Sequence, residues 1–292
     1  MINQVAIMGL GLMGGSLGLA LRSRHPAVKV HGYTRSAARG ELARQRGAVD
    51  AIHADAAAAV READIVVLCA PILSIPDQLR SVMDALKPGA LVTDVGSTKA
   101  EVQRACVDVL AGRAATFIGS HPIAGSEQQG MEAARADLYD GATVVVTPDA
   151  GTDAVRTEVV AGLWRMVGAE VAIMTPGEHD QVLALTSHLP HVMASVLAVT
   201  VGRPGLRPDL PHYCGTGYLD TTRIAEGGVD IWMDIVKTNR TALLDELKVF
   251  RGNLDRLIEK LEQNKFAAIE GILAEGKSSR RAFTEYGHSI DK

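Results

Sequence analysis

Aromatic side chains are scarce in this chain of 292 residues, where Phe, Trp and Tyr together make up 4%. Because hydrophobic residues reach 47%, the core must be built mainly from Ala, Val, Leu and Ile. Cysteine is also rare, and Cys69, Cys106 and Cys214 stand far apart. Three scattered cysteines exclude a disulfide framework and do not suggest a zinc site. We therefore expect no bound metal and a reducing, cytoplasmic setting.

Basic residues are not in excess, since 30 Lys and Arg accompany 34 Asp and Glu, for a formal net charge of -4. Phosphate backbones are bound by basic surfaces, so nucleic acid is not an expected partner. No apolar run of 18 residues predicts a membrane span. No basic and apolar leader precedes the first strand, so we expect neither a membrane partner nor a signal peptide.

The first 175 residues alternate apolar strands with helices. Strands are predicted at 5–8, 28–33, 65–69, 91–94, 117–118 and 143–147, and helices at 17–22, 37–46 and 75–86. This alternation predicts an α/β domain with a doubly wound, mostly parallel sheet. From residue 176 the pattern becomes helical, with one long stretch at 178–201. We therefore predict two domains, 1–175 and 176–292.

An apolar stripe marks a helix near the end of the chain. Its members recur at steps of three or four: Leu247, Phe250, Leu254, Leu257 and Leu261. A lone helix with such a stripe must pack against something. The stripe predicts either the core of its own domain or a dimer interface, and the sequence favours neither.

A glycine-rich turn links the first strand to the first helix. Gly9 permits a tight turn, Gly11 lets the backbone approach a pyrophosphate, and Gly14 allows close packing of the helix. The helix N-terminus then attracts the anion. This context predicts a Rossmann dinucleotide site. Further residues expected to line it are Leu12, Met13, Ala70, Pro71 and Ser97.

The tip of the second strand indicates which dinucleotide binds. An NAD site usually has Asp or Glu there for the ribose 2′-hydroxyl. This chain instead has Thr34, Arg35 and Ser36, with Arg39 one helical turn further on. A guanidinium suits a phosphate, so we predict that NADP is preferred and NAD is the less favoured cofactor.

Five segments carry a family resemblance: GLGLMGGSL (9–17), DVGSTK (94–99), GSHPIAGSE (119–127), TSHLPHVMA (186–194) and LDTTRIA (219–225) followed by a Trp. With these motifs in this order, the chain resembles the prephenate/arogenate (cyclohexadienyl) dehydrogenase family over residues 5 to about 240. The resemblance implies a Rossmann domain followed by an all-α dimerisation domain of the 6-phosphogluconate dehydrogenase type, and hence a homodimer.

The resemblance also implies residue roles. His121 takes the position of the catalytic histidine, Ser97 that of the serine orienting it, and Arg223 that of the arginine that grips a substrate carboxylate. Residues expected to close over or shape the substrate pocket are His188, His191, Asp220 and Trp232. Of the two histidines, His191 is the one favoured as nearer to the substrate. Glu127 is a candidate partner for the ammonium group of arogenate.

The implied activity is NADP-dependent oxidative decarboxylation of prephenate and/or arogenate in tyrosine biosynthesis, with tyrosine as a possible inhibitor. A neutral histidine suits proton removal near pH 7. An arginine can bind a carboxylate through two parallel hydrogen bonds. The residue types therefore match the chemistry that the family carries out.

Alternatives remain open. A 4-amino-4-deoxyprephenate dehydrogenase is one. A β-hydroxyacid dehydrogenase or imine reductase of the same architecture is another, although the hydroxyacid enzymes use a lysine where this chain has His188 and His191. A non-catalytic NADP sensor would have lost the proton acceptor or the anion clamp, and this chain keeps residues for both.

Overall fold

The computed structural model describes residues 2–125 and 128–290 of the chain. The chain divides into two compact units, Met1–Leu243 and Leu244–Lys292. The first unit contains both sheets and the helices as far as residue 238. The second consists of helical segments.

A parallel six-stranded sheet forms the centre of the first unit. Its strands are β1 (Gln4–Met8), β2 (Lys29–Tyr33), β3 (Ala51–His53), β4 (Ile65–Leu68), β5 (Leu91–Asp94) and β6 (Thr116–Phe117). Their order is β3-β2-β1-β4-β5-β6, with all neighbours parallel. This is the strand order of a doubly wound dinucleotide-binding sheet, so the predicted fold class is confirmed.

Each face of this sheet is covered by its own hydrophobic core. Along β1, Val5 and Ile7 belong to one core cluster, whereas Ala6 and Met8 belong to the other. This alternation follows from the two-residue period of a strand. Burial on both faces explains the continuous apolar strands in the sequence.

A smaller sheet contains β7 (Gly119–Pro122), β8 (Thr143–Thr147) and β9 (Glu170–Ile173). β7 runs antiparallel to β8, and β8 is parallel to β9. The segment starting at Gly119 follows β6 and is itself a strand, because residues 119–122 pair with β8. His121 therefore has a rigid backbone.

Six helices accompany the two sheets within the described residues: α1 (Leu12–Arg24), α2 (Ala37–Gln45), α3 (Ala56–Val60), α4 (Ile75–Arg80), α5 (Ala100–Val109) and α6 (Ala154–Met166). The helix predicted at 75–86 is shorter than expected. It ends at Arg80, where the Ser81 hydroxyl donates to the Gln78 carbonyl oxygen and Val82 leaves the helical conformation. A 3₁₀ turn, Met83–Ala85, follows.

One long helical run follows the smaller sheet. It comprises α7 (Pro176–Leu183), a π-helical turn (Ala184–His188) and α8 (Leu189–Val201). Pro190 has no backbone N–H to donate to the preceding turn, which favours such a local irregularity. By length and composition alone this run is apolar enough to cross a bilayer, a test that core helices also pass. Its polar residues His179 and Asp180 are nevertheless buried within the first unit.

The remaining helices are α9 (Thr216–Thr222), α10 (Val229–Thr238), α11 (Arg240–Glu262) and α12 (Phe266–Ile290). The predicted apolar stripe lies on α11. In the single chain Phe250, Leu254 and Leu261 are 36%, 45% and 52% exposed, respectively. In a single chain, therefore, the stripe is not buried in a domain core.

Candidate functional site

The glycine turn between β1 and α1 has the geometry that a dinucleotide requires. Gly9 has φ +116°, and a Cβ there would lie 2.5 Å from the Cys69 carbonyl oxygen. A Cβ at Gly14 would lie 2.0 Å from the Gly9 carbonyl oxygen. Side chains are therefore excluded from both positions. At Gly11, by contrast, a Cβ would meet no atom within 4 Å. Gly11 borders open space at the N-terminus of α1, where a pyrophosphate fits.

A cavity of about 700 Å³ adjoins this turn. Seven of the predicted cofactor residues line it: Gly9, Gly11, Thr34, Arg35, Ser36, Ala70 and Pro71. Leu12 and Met13 do not line it, because their side chains pack against the sheet core at the start of α1. The cavity is also lined by residues that the sequence-based analysis did not select, among them Ser74, Asp77 and Gln78.

The end of the cavity near β2 is built for an anion. Ser36 caps α2, its hydroxyl accepting a hydrogen bond from the Arg39 backbone N–H at 3.3 Å. Arg35 and Arg39 are exposed and line the cavity. Two arginines and a helix N-terminus thus border this end of the cavity, and such groups favour an anion. A bound dinucleotide cofactor would be held here and at the glycine turn.

His121 belongs to a chain of three buried polar side chains. Its Nδ1 lies 2.8 Å from His179 Nε2, and His179 Nδ1 lies 2.8 Å from Asp180 Oδ1. His121 is 9% exposed, whereas His179 is fully buried. No described residue forms a hydrogen bond with Nε2 of His121, so this nitrogen is available to a bound molecule.

Burial keeps the histidines of the site neutral. It lowers the pKa of His121 well below its usual range, and the nearby His179, Lys99 and His188 lower this pKa further. Burial also lowers the pKa of His179, although its hydrogen bond to the Asp180 carboxylate opposes that shift. A neutral imidazole can accept a proton, which a buried imidazolium cannot.

The loop after β5 is fixed at both ends. The Gly96 N–H donates to Asp94 Oδ2 at 2.8 Å, and Thr98 Oγ1 lies 2.8 Å from Thr238 Oγ1 in α10. Lys99, fully buried, pairs with the buried Asp94 carboxylate and donates to the Ser120 carbonyl oxygen at 3.0 Å. Lys99 is therefore part of the core rather than a solvated residue. Ser97, half-buried, lies in the middle of this fixed loop.

His188 and His191 form a second cluster, with Trp232 of α10. The rings of His191 and Trp232 stack with centroids 3.5 Å apart, and His188 meets the Trp232 ring edge to face at 6.0 Å. Asn239 Nδ2 donates to the Asp180 carbonyl oxygen at 2.7 Å and lies 3.1 Å from His188 Nδ1. Burial lowers the pKa of His188 to about 4, although the Asp180 carboxylate opposes the shift.

Two predicted substrate residues take no part in this hydrogen-bond network. Asp220, on α9, and Arg223, in the 3₁₀ turn Arg223–Glu226, are exposed. Within the described part of the chain, neither side chain has an ion-pair or hydrogen-bond partner. A structural role for Arg223, as one partner of a salt bridge between domains, is therefore not supported by the described residues. Glu127 lies outside the described residues.

His179, Asp180 and Asn239 are the residues that sequence reasoning missed. A His-Asp pair near the start of a helix that also carries His188 and His191 is a signal that was present in the sequence. In a regular helix, at about 100° per residue, His188 would lie on the face opposite His179. The π-helical turn accommodates one extra residue and reduces that offset to about 80°. No pattern in the sequence predicted this turn.

Comparisons with known proteins identify the family of this chain. Residues 17–183 match the family model described as the nucleotide-binding domain of prephenate dehydrogenase. Residues 175–275 match the model of its dimerization domain. A cyclohexadienyl dehydrogenase of Zymomonas mobilis is 36% identical over 257 residues, which are 87% of each chain.

Two solved structures resemble the whole chain. Prephenate dehydrogenase from A. aeolicus, in complex with hydroxyphenyl propionate and NAD+, superposes with a TM-score of 0.89 at 31% identity, covering 97% of this chain and 99% of that one. Synechocystis arogenate dehydrogenase superposes with a TM-score of 0.85 at 29% identity, covering 96% and 99% of the two chains. Motifs, fold and relatives thus lead to one assignment: the chain belongs to the prephenate dehydrogenase family.

Proposed function

We propose that this chain catalyses the oxidative decarboxylation of prephenate and/or arogenate in tyrosine biosynthesis, with NADP as the preferred cofactor. The observation that carries the proposal is His121. It is neutral, its backbone is held in β7, and its Nδ1 is occupied by His179. Its Nε2 is thereby left for the hydroxyl group of a substrate. The family's relatives, which are named for prephenate, cyclohexadienyl and arogenate dehydrogenases, support the substrate class.

The role of His121 is that of a general base. It accepts the proton of the ring hydroxyl at Nε2 as the hydroxyl-bearing carbon is oxidised. NADP+, when bound, supplies the hydride acceptor. The bond from the ring to its carboxylate then breaks, carbon dioxide leaves, and the electron pair of that bond makes the ring aromatic. The oxygen of the phenol product takes back a proton, so His121 returns to its neutral form.

Substrate recognition falls to residues around the two histidine clusters. We assign Ser97 to orienting the reacting hydroxyl, because its loop is fixed by contacts on either side. We assign Arg223 to a substrate carboxylate, since no described acidic side chain neutralises it. His191 and Trp232 supply a stacked wall, while Asp220 and Glu127 remain proposed pocket residues.

The preference for NADP rests on this chain's own residues. The related A. aeolicus enzyme was solved with NAD+, so family membership does not decide the cofactor. In this chain Arg35, Ser36 and Arg39 surround the N-terminus of α2, and the tip of β2 carries no carboxylate. An NAD-specific site would need such a carboxylate for the ribose hydroxyl.

The test is a set of initial rates with prephenate or arogenate, each with NADP or NAD, followed by absorbance of the reduced cofactor. We expect turnover of at least one dienol, faster with NADP. His121→Asn is expected to lose about 10²-fold or more in kcat. Arg35→Ser is expected to lower kcat/KM for NADP about tenfold, while kcat/KM for NAD stays unchanged.

Other results would change the proposal in defined ways. Faster turnover with NAD would refute the cofactor assignment and keep the reaction. Turnover of the 4-amino-substituted dienol alone would make the chain a 4-amino-4-deoxyprephenate dehydrogenase. A hydroxyacid dehydrogenase is disfavoured because the helical run has histidines where such an enzyme needs a lysine.

Assembly and regulation are part of the proposal. We propose a homodimer, supported by the match to a dimerization domain and by the exposed stripe on α11. A domain boundary after residue 175 remains our proposal, as do a cytoplasmic location and inhibition by tyrosine, which shares the product's shape.

A further inference from the structure

The hydrogen-bond chain behind His121 has one consistent arrangement of protons. A carboxylate can accept but not donate, so the proton of neutral His179 must be on Nδ1, facing Asp180. His179 Nε2 is then an acceptor. The nitrogen of His121 that faces it, Nδ1, must therefore carry the proton of that ring. It follows that the lone pair of His121 is on Nε2.

Backbone groups keep Asp180 in its accepting state. Asp180 Oδ1 accepts a hydrogen bond from the Lys99 N–H at 2.7 Å, and Oδ2 accepts one from the Ala100 N–H at 2.9 Å. Both N–H groups lie at the N-terminus of α5, where the helix dipole also favours a negative charge. A protonated carboxyl group would direct its O–H toward one of these donors. The N-terminus of α5 therefore sets the donor and acceptor of each hydrogen bond from Asp180 through His179 to His121.

We propose that His179 and Asp180 are positioning residues for His121, which fix it as the tautomer with a free Nε2. This inference rests on the proposed role of His121 as the general base. His179 acts through His121 and not on the substrate, because it is fully buried. When His121 becomes an imidazolium, its Nδ1–H still donates to His179, so the hydrogen bond survives proton transfer.

The charges around His121 explain why such support is needed. Three charged or titratable groups act on His121: His179, Lys99 and His188. Two carboxylates stand behind them, Asp94 paired with Lys99 and Asp180 with His179. The Lys99 ammonium group, which is paired with Asp94, disfavours a cation on His121. Asp180 is the carboxylate connected to His121 by hydrogen bonds, through His179.

The direct test is the tautomer of His121, read from ring ¹⁵N chemical shifts of protein with ¹⁵N-labelled histidine at pH 7.5. His121→Asn identifies the resonances. In the wild type we expect a protonated Nδ1 and an unprotonated Nε2. In His179→Leu, which has no acceptor, we expect the two tautomers to mix. In His179→Gln, whose amide oxygen can stand near the position of Nε2, we expect the wild-type tautomer.

Kinetics give the second readout. With the better dienol and saturating cofactor, His179→Leu is expected to lower kcat about 100-fold and to change the substrate KM less than threefold. His179→Gln is expected to retain kcat within about tenfold. The matched control is His25→Leu, because the His25 ring also forms a hydrogen bond, with the Met166 carbonyl oxygen at 3.0 Å, and lies outside the site. It is expected to keep the wild-type kcat.

The outcomes separate this inference from the proposed function. A His179→Leu variant with the wild-type tautomer and the wild-type kcat would overturn the positioning role. If His179→Leu does not fold, His179→Gln decides, and a mixed tautomer in that variant would count against the inference. If the wild type turns over neither dienol, the proposed function fails, while the ¹⁵N shifts still test the hydrogen-bond chain.

Discussion

Protonation of His188 is expected to destabilise the folded chain in mild acid. His188 is 1% exposed, and its Nδ1 faces the Asn239 amide. Asn239 Nδ2 also donates to the Asp180 carbonyl oxygen, which fixes the amide with its N–H groups toward His188. Nδ1 must therefore remain an acceptor, and a proton there would break the hydrogen bond.

The size of the effect follows from the two pKa values. Burial lowers the pKa of His188 from 6.5 to about 4 on folding. Because the folded pKa is the lower one, the unfolded chain binds the proton more tightly. The stability that neutral His188 contributes to the folded chain is therefore fully present above pH 6.5 and is lost as the pH falls toward 4. Between pH 7.5 and 5.0 the expected loss is about 2 kcal/mol per chain.

The assay is urea unfolding at pH 7.5 and 5.0, at one protein concentration, for the wild type, His188→Gln and His212→Gln. Other buried histidines add to the acid response, so the informative quantity is a difference between proteins. The free energy of unfolding of the wild type should fall about 2 kcal/mol more than that of His188→Gln. His212 is exposed, so His212→Gln should follow the wild type. Equal losses in the wild type and His188→Gln would refute the reasoning.

Three further predictions concern the cofactor turn, the core and the helical stripe. Gly11→Ala places a Cβ in open space at φ -90°, so the free energy of unfolding should stay within about 0.5 kcal/mol of the wild-type value. Calorimetry should nevertheless find the Kd for NADP raised at least about tenfold. Unchanged affinity would mean that the pyrophosphate does not approach Gly11. Lys99→Met leaves the buried Asp94 unpaired and should cost about 3–5 kcal/mol in urea unfolding, and a loss below 1 kcal/mol would contradict the importance of that pair. Leu254→Glu charges the exposed stripe of α11 and should halve the mass measured by light scattering, whereas an unchanged mass would place the dimer contact elsewhere.

The sheet was predictable because its signals are local. Apolar runs mark β1, β4, β5 and β8 within a residue or two of their observed bounds. The short strands β3 and β9 were not predicted, because Ala51–His53 and Glu170–Ile173 are only partly buried and lack a continuous apolar pattern. Their pairing depends on neighbouring strands that lie far away in the sequence.

The candidate site was predictable only in part, for a related reason. Individual motif residues such as His121 could be selected, since a motif is a feature of the sequence alone. The contact from His121 to His179 joins residues 58 positions apart, and it depends on β7 and α7 packing together. Tertiary packing of that kind has no local signature. The role of Lys99 was ambiguous for the same reason, because its burial comes from Asp94 and Ser120 on neighbouring strands.

The π-helical turn Ala184–His188 makes the number of residues in the helical run as important as their identity. If the same residues formed a regular α-helix, everything downstream of the turn would be rotated by about 100°. His188 would leave Asn239, and His191 would leave Trp232, although no side chain at the site had been replaced. A relative with one residue fewer between His179 and His188 would therefore need no π-helical turn to keep the same pocket side chains.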